Sequence, residues 1–289
     1  MPDPDESYPT TSVKREGEAA SSPRDAYRFP AQAWRDTLTV RSYEAGRDGG
    51  VRPGVILRYL ENLATRASAG LGYDNRWYRD HRGAWVVREM SLLLGARATI
   101  DDELRLYTWV SEFRRVQATR DYLITRADTG RLVARAQARW AYIDRVTGQP
   151  TRIPDDLSAR MGPWGYGMRP RRPPTPGDDL APAASMPLVA REYEADTQGH
   201  INNCVYLDWF DEAATRAITP SPARPRFFRL EYIRPALPGA ALAIHTAPAA
   251  TRSRGLALWQ WITPTDGEAP IARAWSEWLR VPTPSSAPL

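Results

Sequence analysis

The sequence predicts an α+β protein made of two tandem copies of one unit, each an antiparallel sheet wrapped around a single long helix. Three observations carry this. Residues 193–217, YEADTQGHINNCVYLDWFDEAATRA, align without a gap on residues 43–67, YEAGRDGGVRPGVILRYLENLATRA, at a constant offset of 150, and 10 of 25 positions are identical. Both segments carry apolar residues at three-to-four spacing, the period of a helix buried along one side. Each is followed by runs that alternate polar and apolar residues around Asp-Thr-Gly or Asp-Gly turns, the period of half-buried hairpin strands.

Taken in order, residues 1–29 are polar and acidic and lack an apolar signal core, so they read as a disordered tail rather than a targeting segment. The first unit spans 30–153. Pro53 stands where a first helical residue is expected, and Ile56, Tyr59, Leu60, Leu63, Ala64 and Ala67 make the helix stripe. Strands follow in AWVVREMSLLLGARATIDDELRLYTWVSEF, then in TRDYLITRADTGRLVARAQARWAYI around Asp128-Thr129-Gly130. Residues 154–185 are rich in Pro and Gly, break every period and read as a linker. The second unit spans 186–282, with Asn202 or Asn203 as helix N-cap. Its stripe is Val205, Tyr206, Trp209, Phe210, Ala213, Ala214 and Ala217, and its last hairpin turns at Asp266-Gly267. Residues 283–289 are a short tail. Late in the units ARAQARW (134–140) meets ARAWSEW (272–278) at an offset of 138, so the second copy is about 12 residues shorter, a difference expected in loops. One curled sheet leaves an edge and a face uncovered, and pairing two units covers both.

Composition narrows the function. A chain of 289 residues with 42% hydrophobic and 10% aromatic residues suits a soluble globular protein. No apolar run reaches the roughly 18–20 residues of a membrane span. The single cysteine, Cys204, excludes an internal disulfide and a Cys-rich zinc site, and fits a cytoplasmic setting. The net charge of +5 comes from arginines, Lys14 being the one lysine, and no basic stripe with regular aromatics points to nucleic acid. No His, Cys and Asp spacing suits a metal, and nothing calls for a cofactor.

The two copies differ in one informative way. Asp196, Gln198, His200, Asn202 and Asn203 stand where the first copy has Gly46, Asp48, Gly50, Arg52 and Pro53. The first copy builds an equivalent turn without those side chains, so the turn does not need them. Asp196 and His200, four apart before a helix, can face one cavity. There a carboxylate or neutral imidazole activates water, or the carboxylate attacks directly. The first N–H groups of the helix, near Asn202 to Val205, lack helical partners and sit at its positive end, suited to an oxyanion. Acyl transfer to water is the economical reading. A Cys204–His200 nucleophile is disfavoured, since Gly54 fills the Cys204 slot in the sister copy. His81 reads as a surface loop residue, His245 as a strand residue and Asp101-Asp102 as a turn.

The pattern Asp-x-x-Gly-His-x-Asn-Asn-x-x-Tyr-Leu-x-Trp, residues 196–209, resembles the active-site segment of hotdog-fold thioesterases. Two such units with the polar set in the second resemble the acyl-ACP thioesterases of plants and bacteria. WVVREMSLLLGARATIDDELRLYTW, RWAYIDRVTGQPTRIP and LEYIRPALPG carry further likeness. The resemblance implies a tandem (double) hotdog in which a catalytic second unit hydrolyses fatty acyl thioesters on acyl carrier protein. The first unit, non-catalytic, would shape the acyl pocket. It places the catalytic Asp on Asp196 and the His on His200, with Gln198 where the family has Asn. Pro235 and Ala236 occupy the places of a family Glu and, in plants, Glu-Cys; Glu231 in the same strand is the candidate additional acid. A homodimer stays open. The alternatives are an acyl-CoA or polyketide-type thioesterase, a double-hotdog hydratase and a non-catalytic acyl-binding protein.

Overall fold

The computed structural model describes residues 27–176, 180–218, 223–252, 255–267 and 269–280. The expected tails over 1–26 and 283–289 lie outside the described residues. Residues 27–29 do not continue the tail: the Tyr27 hydroxyl accepts from the Leu132 N–H at 3.3 Å, and the Phe29 ring lies 4.5 Å from that of Tyr107.

The first unit runs β1 (Trp34–Thr39), α1 (Pro53–Gly70), α2 (Asn75–Asp80), β2 (Gly83–Leu94), β3 (Glu103–Arg114), β4 (Gln117–Arg126) and β5 (Leu132–Asp144). A short helix α3 (Asp155–Met161) follows. The second unit runs β6 (Ala184–Val189), α4 (Asn203–Ile218), β7 (Ala223–Tyr232), β8 (Ala241–Arg252), β9 (Gly255–Pro264) and β10 (Ala272–Arg280). All ten strands form one sheet in the order β1-β3-β4-β5-β2-β7-β10-β9-β8-β6. Each half has the same order read from its own edge, and the halves join by antiparallel pairing of β2 with β7, from Glu89↔Glu231 to Leu93↔Phe227.

The long helices lie against the sheet and against each other, because their stripes are buried: Leu57, Leu60 and Leu63 on α1, Leu207, Phe210 and Ala214 on α4. The contact has a pseudo-two-fold character. Arg58 donates to Asp208 at 2.6 Å, and these two residues occupy the same position in the two copies, 150 apart. Gly54 permits the approach, since a Cβ there would fall 1.9 Å from the Asp208 carboxylate.

Two features depart from the sequence expectation. The extra residues of the first unit fall between α1 and β2, where α2 forms; among the described residues no such helix stands between α4 and β7. The linker is not loose along its first half. Leu157 and Met161 of α3 are buried, and residues 164–168 lie along the outer face of the first unit. There the Trp164 N–H donates to the Val110 carbonyl at 2.9 Å and the Met168 N–H to Asp121 at 2.6 Å. Asp121 is wholly buried and also accepts from Ser111 Oγ (2.6 Å) and Gln137 Nε2 (3.1 Å), which answers its need for donors. Burial raises its carboxyl pKa.

Candidate active site

The loops before α1 and α4 have the same backbone despite their different side chains. Ala45 bridges Val51 and Ala195 bridges Ile201. The Gly46 N–H donates to the Gly50 carbonyl and the Asp196 N–H to the His200 carbonyl, both at 2.8 Å. The turn is closed by Gly49 at φ 79° and Gly199 at φ 78°, a conformation that glycine adopts without steric cost. The fold of this loop therefore comes from its glycines, and the first copy forms it without the polar set of the second.

Asp196 is held as part of that turn, one carboxylate oxygen accepting the Gln198 N–H at 2.8 Å. Asp196, Thr197 and Gln198 form one wall of a cavity of about 760 Å³, a size that suits a small-molecule ligand. Every other wall is from the first unit and α3. α1 contributes Glu61, Ala64 and Ser68, α2 contributes Tyr78 and Arg79, and Trp85, Phe113 and Trp140 lie on strands. The segment by which the first unit exceeds the second is thus the one that encloses the cavity. The lining is less apolar than a tail pocket in the first unit requires. Arg120 is 9% exposed and faces the cavity, with Thr108 Oγ1 at 3.5 Å and Met161 Sδ at 3.9 Å as its partners. The Trp140 indole N–H and the Tyr122 hydroxyl are buried, and neither is within hydrogen-bond geometry of a partner among the described residues.

The remaining expected residues separate. Asn202 is the N-cap of α4: its Oδ1 accepts the Cys204 N–H at 2.8 Å, and its Nδ2 lies 3.2 Å from both oxygens of Glu61. The four N–H groups from 202 to 205 are not all free. Asn202 donates to the Glu194 carbonyl (2.9 Å), Cys204 to the Asn202 side chain, and Val205 to the Asn202 carbonyl (3.0 Å). Among the described residues nothing accepts from Asn203 N–H, and neither Asn202 nor Asn203 is among the residues that line the cavity. The Asn203 carbonyl accepts from Tyr232 at 3.1 Å. His200 is exposed, and its ring is outside the residues that line the cavity. Glu231 is exposed on β7, opposite Glu89 across the strand pair, and is likewise outside the lining. Pro235 is exposed, while Ala236 is buried behind the loop and accepts the Ile201 N–H at 3.0 Å.

Cys204 is buried and donates through Sγ to Glu61 at 3.1 Å. Burial, and next the Glu61 charge, hold its thiol well above the ordinary range, so it stays protonated and is no nucleophile. Glu61 was missed by reading the sequence. Its helix face is set by the stripe around it, but its meeting with Asn202 and Cys204 depends on how α1 crosses α4. The equivalent carboxylate in the second copy, Asp211, has Asp48 and Arg52 of the first unit near it instead. Burial, then Asp208 and Glu212, push its pKa up to about 7.

A continuous sheet of two like halves, each wrapping a long helix, defines a double-hotdog protein. Two solved structures share the fold. The 12:0-ACP thioesterase from Umbellularia californica matches with a TM-score of 0.74 and 21% identity, over 86% of this chain and 94% of that one. A putative oleoyl thioesterase from Lactobacillus plantarum matches with a TM-score of 0.75 and 19% identity, over 88% of this chain and 99% of that one. The sequence matches the family models for the acyl-ACP thioesterase N-terminal domain over residues 31–161 and the acyl-ACP thioesterase C-terminal domain over residues 179–279. The chain belongs to the acyl-ACP thioesterase family. A chloroplastic acyl-[acyl-carrier-protein] hydrolase of Cuphea viscosissima is 26% identical over 194 residues, 62% of this chain and 47% of that protein. A chloroplastic palmitoyl-acyl carrier protein thioesterase of Arabidopsis thaliana is 25% identical over 194 residues, 63% of this chain and 47% of that protein. The chain spans about half the length of these curated relatives. None of the described helices is long and apolar enough to cross a membrane.

Proposed function

We propose that this protein hydrolyses acyl thioesters carried on acyl carrier protein, releasing the free acid and the carrier thiol. The observation that carries the reading is the placement of Asp196, from the second unit, in the wall of a cavity of about 760 Å³ otherwise lined by the first unit and α3. The acyl chain lies in that cavity along α1, and the thioester carbonyl sits at the Asp196 loop. The free Asn203 N–H, at the positive end of α4, receives the oxygen as it gains charge. Asp196 takes a proton from water as the water oxygen bonds to the carbonyl carbon. The tetrahedral intermediate then expels the thiolate, which recovers the proton. Gln198 faces the same cavity and orients the thioester by its carboxamide. His200, exposed and outside the cavity lining, takes no part in these steps. No step uses a metal or cofactor, and the site is completed within one chain, so the reading needs no second copy. The names of the relatives support carrier protein as the thiol, and the exposed Arg76, Arg79 and Arg145 at the cavity are complementary to an acidic partner.

A second reading concerns the acyl group. The buried Arg120 guanidinium, without a carboxylate partner among the described residues, favours an acyl chain that carries oxygen, as polyketide-type chains do, because an uncompensated buried charge is costly. The test is thiol release from a panel of plain and oxygenated acyl chains on carrier protein and on CoA. The reading expects turnover on carrier-protein thioesters with higher kcat/KM than on CoA. No release from any thioester overturns it.

A further inference from the structure

The hydrolytic site belongs to both units. We propose that Glu61 of the first unit is a positioning residue for the chemistry of the second: its carboxylate holds the Asn202 carboxamide that caps α4, and so the start of the helix whose Asn203 N–H receives the oxyanion. The inference rests on the hydrolytic reading above.

A carboxamide has one accepting oxygen and one donating nitrogen, and its function depends on which way it points. Asn202 must present Oδ1 to the Cys204 N–H, at 2.8 Å, to cap α4. The cap favours this orientation and Glu61 reinforces it. An ionised carboxylate only accepts, and both its oxygens lie 3.2 Å from Nδ2. Reversal would set Oδ1 against the carboxylate and the amide nitrogen against a backbone N–H, two repulsive contacts at once. The Cys204 thiol is a second donor to Glu61, at 3.1 Å, with Asn203 Oδ1 at 3.2 Å as its other acceptor, and its raised pKa keeps it a donor. With the carboxamide locked, Cys204 N–H is consumed by the cap, while Asn203 N–H has no acceptor among the described residues. Glu61 also lines the cavity with Asp196 and Gln198, so the lock is made at the wall of the site itself.

The sister copy supports this by contrast. Its equivalents, Asp211 and Arg52, retain a carboxylate on the helix but have no carboxamide to orient, and helix α1 starts with Pro53, which has no N–H to offer an oxyanion. A pair suited to fixing a donor occurs where Asp196 is, and is missing where it is not.

The experiment is a double-mutant cycle on the full chain, with kcat, KM and the melting midpoint measured for each protein. Glu61→Gln sets a donor beside the Asn202 and Cys204 donors. It is expected to lower kcat about 10- to 100-fold, with KM changed less than about threefold, as for a misplaced oxyanion donor. Asn202→Asp sets carboxylate against carboxylate and is expected to lose as much. Combining both reverses the polarity of the pair: the introduced carboxamide donates to the introduced carboxylate, whose other oxygen still accepts the Cys204 N–H. The combination is expected to recover kcat to within about fivefold of the parent. A purely structural pair would move the melting midpoint and leave kcat of the folded single variants near the parent value. Parental kcat in Glu61→Gln, or additive losses in a folded double variant, overturns the assignment. A parent that cleaves no thioester overturns the hydrolytic reading and this inference with it, an outcome distinct from an active parent with an indifferent Glu61.

Discussion

Asp196→Asn separates the chemistry of the site from its architecture. The substitution keeps the shape and one oxygen, and that oxygen is what the loop uses, in accepting the Gln198 N–H at 2.8 Å. Asn serves this kind of turn as well as Asp, and the Gly199 turn and the Ala195–Ile201 bridge do not involve the side chain. The stability change is therefore expected to stay within about 0.5 kcal/mol. The charge is lost, and with it the base. Removal of a positioned general base costs about 10²–10⁴ in kcat, which is about 3–5 kcal/mol of transition-state stabilisation at 1.36 kcal/mol per tenfold. The assay is thiol release from acyl-carrier-protein thioesters under saturating substrate, with thermal melting in parallel. Asp48→Ala is the matched control in the first unit. Asp48 pairs with Arg97 at 2.7 Å and is outside the cavity lining, so turnover should change no more than a few-fold. Parental turnover in Asp196→Asn, or equal losses in both variants, would refute the assignment of Asp196.

Three further outcomes are expected. Asp121→Ala removes the acceptor for Met168 N–H, Ser111 and Gln137, and should cost about 3 kcal/mol or more in urea unfolding and speed proteolysis within 162–176; an unchanged midpoint would show that the linker is held by other contacts. Asp211, with its pKa near 7, keeps a proton that the unfolded chain releases near pH 4, so stability falls as pH rises between these values. Asp211→Asn should match the parent near pH 4 and be more stable by about 1–3 kcal/mol at pH 8, by thermal melting at both values. Arg120→Met replaces a guanidinium that has weak partners, and should raise the melting midpoint while lowering kcat/KM for oxygenated chains relative to plain ones; a lower midpoint would mean the guanidinium is better satisfied than its two contacts indicate.

By itself the sequence determined what local periodicity and backbone sterics control. The 150-residue repeat announced two units, the stripes announced α1 and α4, and Pro53 and the Asn202-Asn203 pair marked where those helices begin. Each of these depends on neighbours within a few positions. The Asp196 loop was legible for the same reason: a polar set in one copy stands out against a copy that folds without it. The direction of the His200 ring was not legible, because a spacing of four carries a direction in a regular helix but not through a turn closed by a glycine at positive φ. Nor was the shared ownership of the site. Glu61 reaches Asn202 across 141 positions of sequence, Asp121 reaches Met168 across 47, and α2 lines a cavity that residues 196–198 of the other unit also wall. Such contacts are fixed by how two helices cross and how one sheet pairs with the next. Those are properties of the packed whole, set by complementary surfaces that no single segment contains.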